Sequence, residues 1–240
     1  MQLNAEELNQ LKQTCLIPQK DGSTYAIRIR SVGGDMQVKQ LEAIARVAER
    51  YGRGAVHLTT RQGLEIPGVA EEHLDAALAE LLQNGVNLGV RGPRVRTVTA
   101  CPGAASCKNG LIDTKGLAEE LDRRYFGKEY GKFKIAVAGC PNSCTKPLEN
   151  DAGIMGAVIP SWNQEDCRNC GICVDACPAG AIEFDGSGVY TRNAEKCLCC
   201  GACIRECPAG AWEPREKGFF LFLGGTMGKR PRLGTKGGEL

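Results

Sequence analysis

The run Cys167-x2-Cys170-x2-Cys173-x3-Cys177-Pro returns 30 residues later as Cys197-x2-Cys200-x2-Cys203-x3-Cys207-Pro, and no other feature restricts this chain as strongly. In such a run three closely spaced thiolates take three corners of one [4Fe–4S] cubane, while the fourth, before proline, ligates the other cluster. The spacing therefore gives Cys167, Cys170, Cys173 and Cys207 to cluster one, and Cys197, Cys200, Cys203 and Cys177 to cluster two. Several zinc sites would not explain the repeated x3-Cys-Pro ending. Cys199 is left over within the second run and reads as a bystander thiol.

A separate cysteine system lies upstream: Cys101-Pro-Gly-Ala-Ala-Ser-Cys107, then Cys140-Pro-Asn-Ser-Cys144 after the apolar run Lys134–Gly139. Four thiolates on two tight Pro-, Gly- and Ser-containing loops can enclose a third cubane, with backbone N–H groups reaching its sulfides. A structural zinc would use the same four thiolates, but zinc loops usually space cysteines by two to four residues, and Cys107 lies one residue beyond.

A chain of 240 residues allows one large or two to three small domains. Its 14 cysteines would suggest disulfides in a secreted protein. The start Met-Gln-Leu-Asn-Ala-Glu-Glu-Leu is instead acidic and lacks the apolar core of a signal peptide, so reduced, metal-bound cysteines in the cytoplasm are expected. A net charge of +2 leaves no global footprint for nucleic acid. Apolar stretches such as Phe219–Leu223 fall far short of the ~20 residues that span a membrane.

Along the chain, a helix is expected over 4–14, followed by a lone thiol at Cys15. Tyr25–Arg30 alternates as a strand with Ala26, Arg28 and Arg30 on one face. A Gly33-Gly34 turn leads to a helix from Gln37 to Tyr51, its stripe formed by Leu41, Ile44, Val47 and Ala48. A strand from Ala55 ends near Arg61, a short strand covers Leu64 to Ile66, and a helix runs from Ala70 to Asn84. This β-α-β-β-α order is a ferredoxin-like half-module, a fold name that implies no cluster. Beyond a Gly-Pro break at 92–93 come a strand over 94–100, a helix over 113–126 with Leu117, Leu121 and Tyr125 inward, and a buried strand over 152–159. After the cysteine runs, Gly218–Leu223 is again a strand. The reading is α+β: 1–93 as N-terminal helix and half-module, 94–159 with 213–240 as a mixed α/β domain, and 160–212 as an inserted two-cluster ferredoxin.

By themselves, Arg28 and Arg30 read as a solvated sheet face, and Lys132 and Lys134 as solvated lysines. Residues 224–234 offer glycine N–H groups beside Lys229, Arg230 and Arg232, which suits a polycarboxylate, or they form an ordinary basic turn.

At Cys101…Cys107 and Cys140-Pro-Asn-Ser-Cys144 the sequence resembles the siroheme-dependent sulfite and nitrite reductases. The inserted ferredoxin resembles the small anaerobic or assimilatory type, and the likeness runs from about Thr24 to Gly234. It implies a siroheme, with Cys144 shared between the central cluster and the siroheme iron. It places Arg61, within Thr-Thr-Arg-Gln, on a cofactor carboxylate, and Gly224, Gly225, Thr226, Lys229, Arg230 and Arg232 at the same cofactor. It gives Arg30, Arg96, Lys132 and Lys134, supported by Arg28, to the anionic substrate. The implied activity is six-electron reduction of sulfite to sulfide, fed through the ferredoxin clusters by a low-potential donor protein. Nitrite reduction to ammonia is the close alternative, and a non-catalytic electron carrier the distant one, since a carrier needs no anion cage. Larger relatives hold two such halves in one chain, so a homodimer with shared sites, or a higher homo-oligomer, is expected here, with a related second subunit in the partner's place as the alternative.

Overall fold

Alternate burial in strands and three-to-four spacing in helices build the first part of the chain. The computed structural model describes residues 5–237. The chain divides into two units, Met1–Ala100 with Gly116–Ala136, and Cys101–Lys115 with Val137–Leu240.

In the first unit, α1 (Ala5–Cys15), β1 (Leu16–Pro18), β2 (Thr24–Ile29), α2 (Val38–Tyr51), β3 (His57–Leu58), β4 (Leu64–Ala70), α3 (Leu74–Gln83) and β5 (Thr99–Ala100) precede α4 (Thr114–Tyr125), whose body from Gly116 belongs here. The sheet order is β1-β2-β4-β3, antiparallel throughout, so the expected β-α-β-β-α order is present with an additional edge strand, β1. Ile27, Ile29, Ile66 and Val69 of the sheet pack on Ile44 and Val47 of α2 and on Leu78 and Leu81 of α3. Each such side chain contributes roughly 1.5–3 kcal/mol by leaving water. Gln37 and Gln40 form a capping box that satisfies the first N–H groups of α2. Leu41, expected inward, is 44 % exposed beside Val38 at 71 %, because this first turn lies clear of the buried stripe, which Ala43 completes instead. Cys15 is fully buried, and burial pushes its thiol up to about 12, leaving it protonated and inert.

Helix α4 departs from the expected stripe. Tyr125 is exposed, while Ala118 and Asp122 are buried. Asp122 is drawn inward by its partners: Arg30 Nη1 lies 3.2 Å from its carboxylate, and the Val98 N–H donates to it at 3.2 Å. The Arg30 guanidinium also stacks 3.9 Å above the Phe126 ring. The expected strand over 94–100 is reduced to β5 and one bridge, Val95 to Phe133.

In the second unit, β6 (Ile135–Ala138) enters at Val137. It is followed by β7 (Ala152–Trp162), α5 (Ile172–Asp175), β8 (Ile182–Phe184), β9 (Tyr190–Arg192), α6 (Ala202–Glu206), β10 (Trp212–Leu223) and β11 (Thr235–Lys236). The sheet runs β11-β10-β7-β6. Strands β7 and β10 pair from Ala152↔Leu223 to Trp162↔Trp212, with one irregularity between Pro214 and Glu216. The segment bearing both cysteine runs thus grows from the open end of a long hairpin, closed at its base by Asn163 N–H to Ala211 O at 2.8 Å. Gly156 lets β7 pass close to the end of β6, since a Cβ there would lie 2.3 Å from Gly139 O.

Removing one member of a buried ion pair strands the other charge, at about 3–5 kcal/mol. Arg30 keeps some solvent access, so Asp122→Ala should destabilise the protein toward the low end, about 3 kcal/mol, read as a lower urea midpoint. An unchanged midpoint would show that the pair is dispensable.

Candidate functional site

The central thiols stand on two loops tied to the end of β6. Cys101 N–H donates to Val137 O at 3.2 Å, and the Gly139 N–H reaches the Cys101 sulfur at 3.1 Å. Thr114, fully buried, donates its hydroxyl to Cys101 O at 2.5 Å. Gly103 has φ +54°, and a Cβ there would lie 2.3 Å from Thr114 Oγ1, so the five-residue loop closes only on glycine. Leu111 N–H returns to Gly139 O at 2.8 Å, and Thr145 Oγ1 donates to Val137 O at 2.8 Å. The four thiols converge. Burial raises the Cys140 thiol, and Cys101, Cys107 and Cys144 each raise it further by like-charge repulsion. Cys140 is buried, whereas Cys107 and Cys144 open to solvent. An all-thiolate set of four on two loops, with a backbone N–H on sulfur, fits a cubane. Among the described residues no three Cys, His, Asp or Glu side chains converge on a point suited to a single metal ion.

Thiols of the two runs gather at two points, Cys177, Cys197 and Cys200 about Cys203, and Cys207 beside Cys173. Burial pushes Cys203 up to about 12, with Cys197, Cys200 and Cys177 adding to the rise. Burial likewise raises Cys173, which faces Cys207. Against burial, the backbone N–H groups of Trp212, Ala209, Ala211 and Gly210 bring Cys207 below the ordinary thiol range. Further N–H groups point at sulfur: Asn169 to Cys167 at 3.5 Å, Cys199 to Cys197 at 3.4 Å and Ala181 to Cys177 at 3.2 Å.

Three left-handed residues other than glycine each stand immediately before a cysteine: Ser143 (φ 55°), Asn169 (φ 56°) and Cys199 (φ 55°). Cys199 is therefore the counterpart of Asn169 in the other run. Its carbonyl accepts the Val158 N–H at 2.9 Å, anchoring the second run to β7. Burial first, then Cys197, pushes its thiol up to about 11. An open cavity of about 640 Å³ lies between the central loop, at Cys140 and Asn142, and the second run, at Leu198 and Cys200.

The basic residues expected to meet ligands belong to the first unit, except the C-terminal set. Arg28 donates Nε and Nη2 to Glu65 at 3.0 and 2.7 Å, and Arg30 is paired with Asp122. Arg96 donates to Val90 O and, at 2.8 Å, to Gly92 O. It has no carboxylate partner among the described residues, its Nε is buried without an acceptor, and burial and then Arg28 lower its pKa. Arg61 Nη2 donates to Thr97 O at 2.9 Å and Ile135 O at 3.1 Å. Gln62, which sequence reasoning passed over, exchanges two hydrogen bonds with Ala100 at 2.8 and 2.9 Å and so fixes the residue before Cys101. Lys132 is exposed, and Lys134 lies one position before β6.

The 224–234 segment differs from the expectation of free glycine donors. Gly224 N–H is taken by Asp151 O at 2.9 Å, and Thr226 N–H by Arg232 O at 2.9 Å, within a small hairpin. Arg232 Nε bonds Gly224 O at 2.6 Å, while Lys229 and Arg230 are exposed. Gly225 is buried beside this turn. Thr114 and Asp122 were also missed as site-shaping residues; a polar residue at an inward helix position was the available signal.

Since αL is open to asparagine and costs a β-branched residue about 1–3 kcal/mol, Cys199→Asn should keep the iron content and thermal midpoint of the parent. Cys199→Val should lower the midpoint. Loss of iron in the asparagine variant would make Cys199 a ligand.

Two family models match the chain: the nitrite/sulfite reductase ferredoxin-like half domain over residues 17–84, and the nitrite and sulphite reductase 4Fe-4S domain over 91–238. The chain is 39 % identical over 222 residues to a coenzyme F420-dependent sulfite reductase of Methanocaldococcus jannaschii, covering 92 % of this chain and 36 % of that protein. It is 32 % identical over 170 residues to one of the subunits of the anaerobic sulfite reductase of Salmonella typhimurium, covering 65 % and 50 % respectively. It therefore spans half or less of these two relatives. A crystal structure of a dissimilatory sulfite reductase shares the fold at TM-score 0.71 and 22 % identity, covering 89 % of this chain and 57 % of that one. No helix of the described residues is long and apolar enough to cross a membrane.

Proposed function

The chain belongs to the nitrite and sulfite reductase family, and from that premise we propose that it reduces sulfite to sulfide at a siroheme joined to a [4Fe–4S] cluster. The supporting observation is the convergence of Cys101, Cys107, Cys140 and Cys144 on two loops at the end of β6. The first three would hold cluster corners, and Cys144, open to solvent, would serve cluster and siroheme together. When bound, siroheme would supply a redox-active iron able to take the anion, beside a cluster that would store electrons.

The chain's own residues would divide the remaining work by charge. Arg28 is neutralised by Glu65 and Arg30 by Asp122, so in the proposed anion cage both act as fixed dipoles rather than free cations. Arg96 keeps its charge without a carboxylate, which suits it to the substrate oxyanion. An arginine does not give up its proton, so Lys132 and Lys134 would pass protons from solvent as oxygen leaves as water. Arg61, Gly225, Lys229 and Arg230 remain proposed siroheme contacts, Arg61 as a brace as well as a donor. The two groups of ferredoxin thiols would hold two further clusters that carry electrons from a low-potential donor protein. The family descriptions cover nitrite as well, so nitrite reduction to ammonia is the alternative.

Protein purified without oxygen should contain about thirteen iron atoms per chain, from three cubanes and one siroheme. It should yield siroheme on acid extraction and turn over sulfite faster than nitrite. About eight iron atoms and no tetrapyrrole would reduce the chain to an electron carrier. Arg96→Ala should raise KM for sulfite roughly 10–100-fold, the value of a charge-assisted hydrogen bond, with iron content unchanged. Because a chain with one half's worth of sequence carries both the cysteines and the basic set, we also propose that two copies associate; sedimentation equilibrium should give twice the chain mass, and a monomer would overturn that part.

A further inference from the structure

The two cysteine runs are related by an internal repeat, and at one buried position they differ in chemistry. After Cys177 the chain reads Pro-Ala-Gly-Ala-Ile182, and after Cys207 it reads Pro-Ala-Gly-Ala-Trp212. Ile182 and Trp212 share one small core with Cys173, Cys203 and Tyr190, at 5 % and 3 % exposure. Ile182 brings no polar atom. Trp212 brings an indole N–H that is buried and reaches no acceptor with full hydrogen-bond geometry among the described residues.

Such a donor is normally satisfied, so an orphan points to a group that completes it. Its placement is constrained. Trp212 opens β10 opposite Trp162, and the Asn163 N–H to Ala211 O bond fixes the backbone just before it. Its backbone N–H is turned to the Cys207 sulfur, and its indole side approaches the Cys173 sulfur. Both sulfurs belong to the first group of thiols, with Cys167 and Cys170.

We propose that Trp212 tunes the first ferredoxin cluster by donating its indole N–H to a sulfur of that cluster, and that Ile182 leaves the second cluster without such a donor. This rests on the cluster assignment under the proposed function. A one-electron reduction adds negative charge to the cubane and its thiolates, and an N–H dipole aimed at sulfur stabilises that state more than the oxidised one. The reduction potential of the first cluster is therefore raised by the indole. The repeat thus builds two inequivalent clusters from nearly identical cysteine spacing.

The test uses the full chain, loaded with its cofactors and kept anaerobic, in a redox titration followed by electron paramagnetic resonance. A Cys170→Ser protein marks which signal belongs to the first cluster. Trp212→Phe keeps the ring and removes the donor. The first-cluster midpoint should move to lower potential, with the second-cluster midpoint unchanged. Trp162 carries a second buried indole N–H without an acceptor, so protein labelled with ¹⁵N in its indoles is measured as wild type and as Trp212→Phe: double resonance on the reduced first cluster should show coupling to an exchangeable indole proton that the variant loses. Unchanged midpoints in Trp212→Phe, or labelled protein with no such coupling, would overturn the tuning role while leaving the clusters in place. Absence of any ferredoxin-type signal would overturn the cluster assignment and the tuning role with it.

Discussion

The 3.1 Å contact between the Gly139 N–H and the Cys101 sulfur joins the two loops that carry the central thiols, and the second unit is arranged to make it possible. Thiolates brought together repel one another and resist ionisation when buried, as the upward shift at Cys140 records. Such a group is stable only around a cationic centre, with backbone dipoles on the sulfurs. The close pass of Gly156 by Gly139 O, the buried Thr114 hydroxyl on Cys101 O and the left-handed turn at Ser143 all hold the loops in that geometry.

The same device recurs in the segment of the two cysteine runs. A left-handed residue stands before Cys170 and Cys200 as it does before Cys144, so Asn169, Cys199 and Ser143 are equivalent by conformation though not by residue type. This explains why a cysteine at 199 can be a bystander. The position asks for a residue that tolerates φ near +55° and offers a carbonyl to Val158. The segment 163–211 is compatible with the sheet because it leaves from one end of the β7–β10 hairpin and returns to the residue opposite.

Sequence was most informative where spacing is chemistry. The twelve cysteines expected to bind clusters were readable because cubane ligation tolerates few spacings; the structure brings Cys101, Cys107 and Cys144 to Cys140, Cys207 to Cys173, and Cys177, Cys197 and Cys200 to Cys203. The half-module was readable from its periodicity apart from β1, and beyond it the inward face of α4 was not. Charged residues were least legible, because a side chain's partner is set by tertiary contacts that spacing does not encode. Arg28 and Arg30 were expected to share a solvated strand face, yet each is matched by a carboxylate, Glu65 or Asp122, from a distant part of the chain. The backbone donors of Gly224 and Thr226 were hidden for a related reason: Asp151 O and Arg232 O take them.

The central claim is that Cys144 links a cubane to siroheme. A thiolate shared by two iron centres transmits magnetic exchange between them, whereas two centres that are merely neighbours keep separate spectra. Mössbauer spectroscopy of ⁵⁷Fe-enriched, oxidised protein at low temperature reads this directly. The account predicts that one of three cubanes shows a magnetic pattern imposed by the paramagnetic siroheme iron, and that Cys144→Ser abolishes it while the other two cubanes are unaffected. Three magnetically silent cubanes in the wild-type protein, with siroheme present, would contradict it.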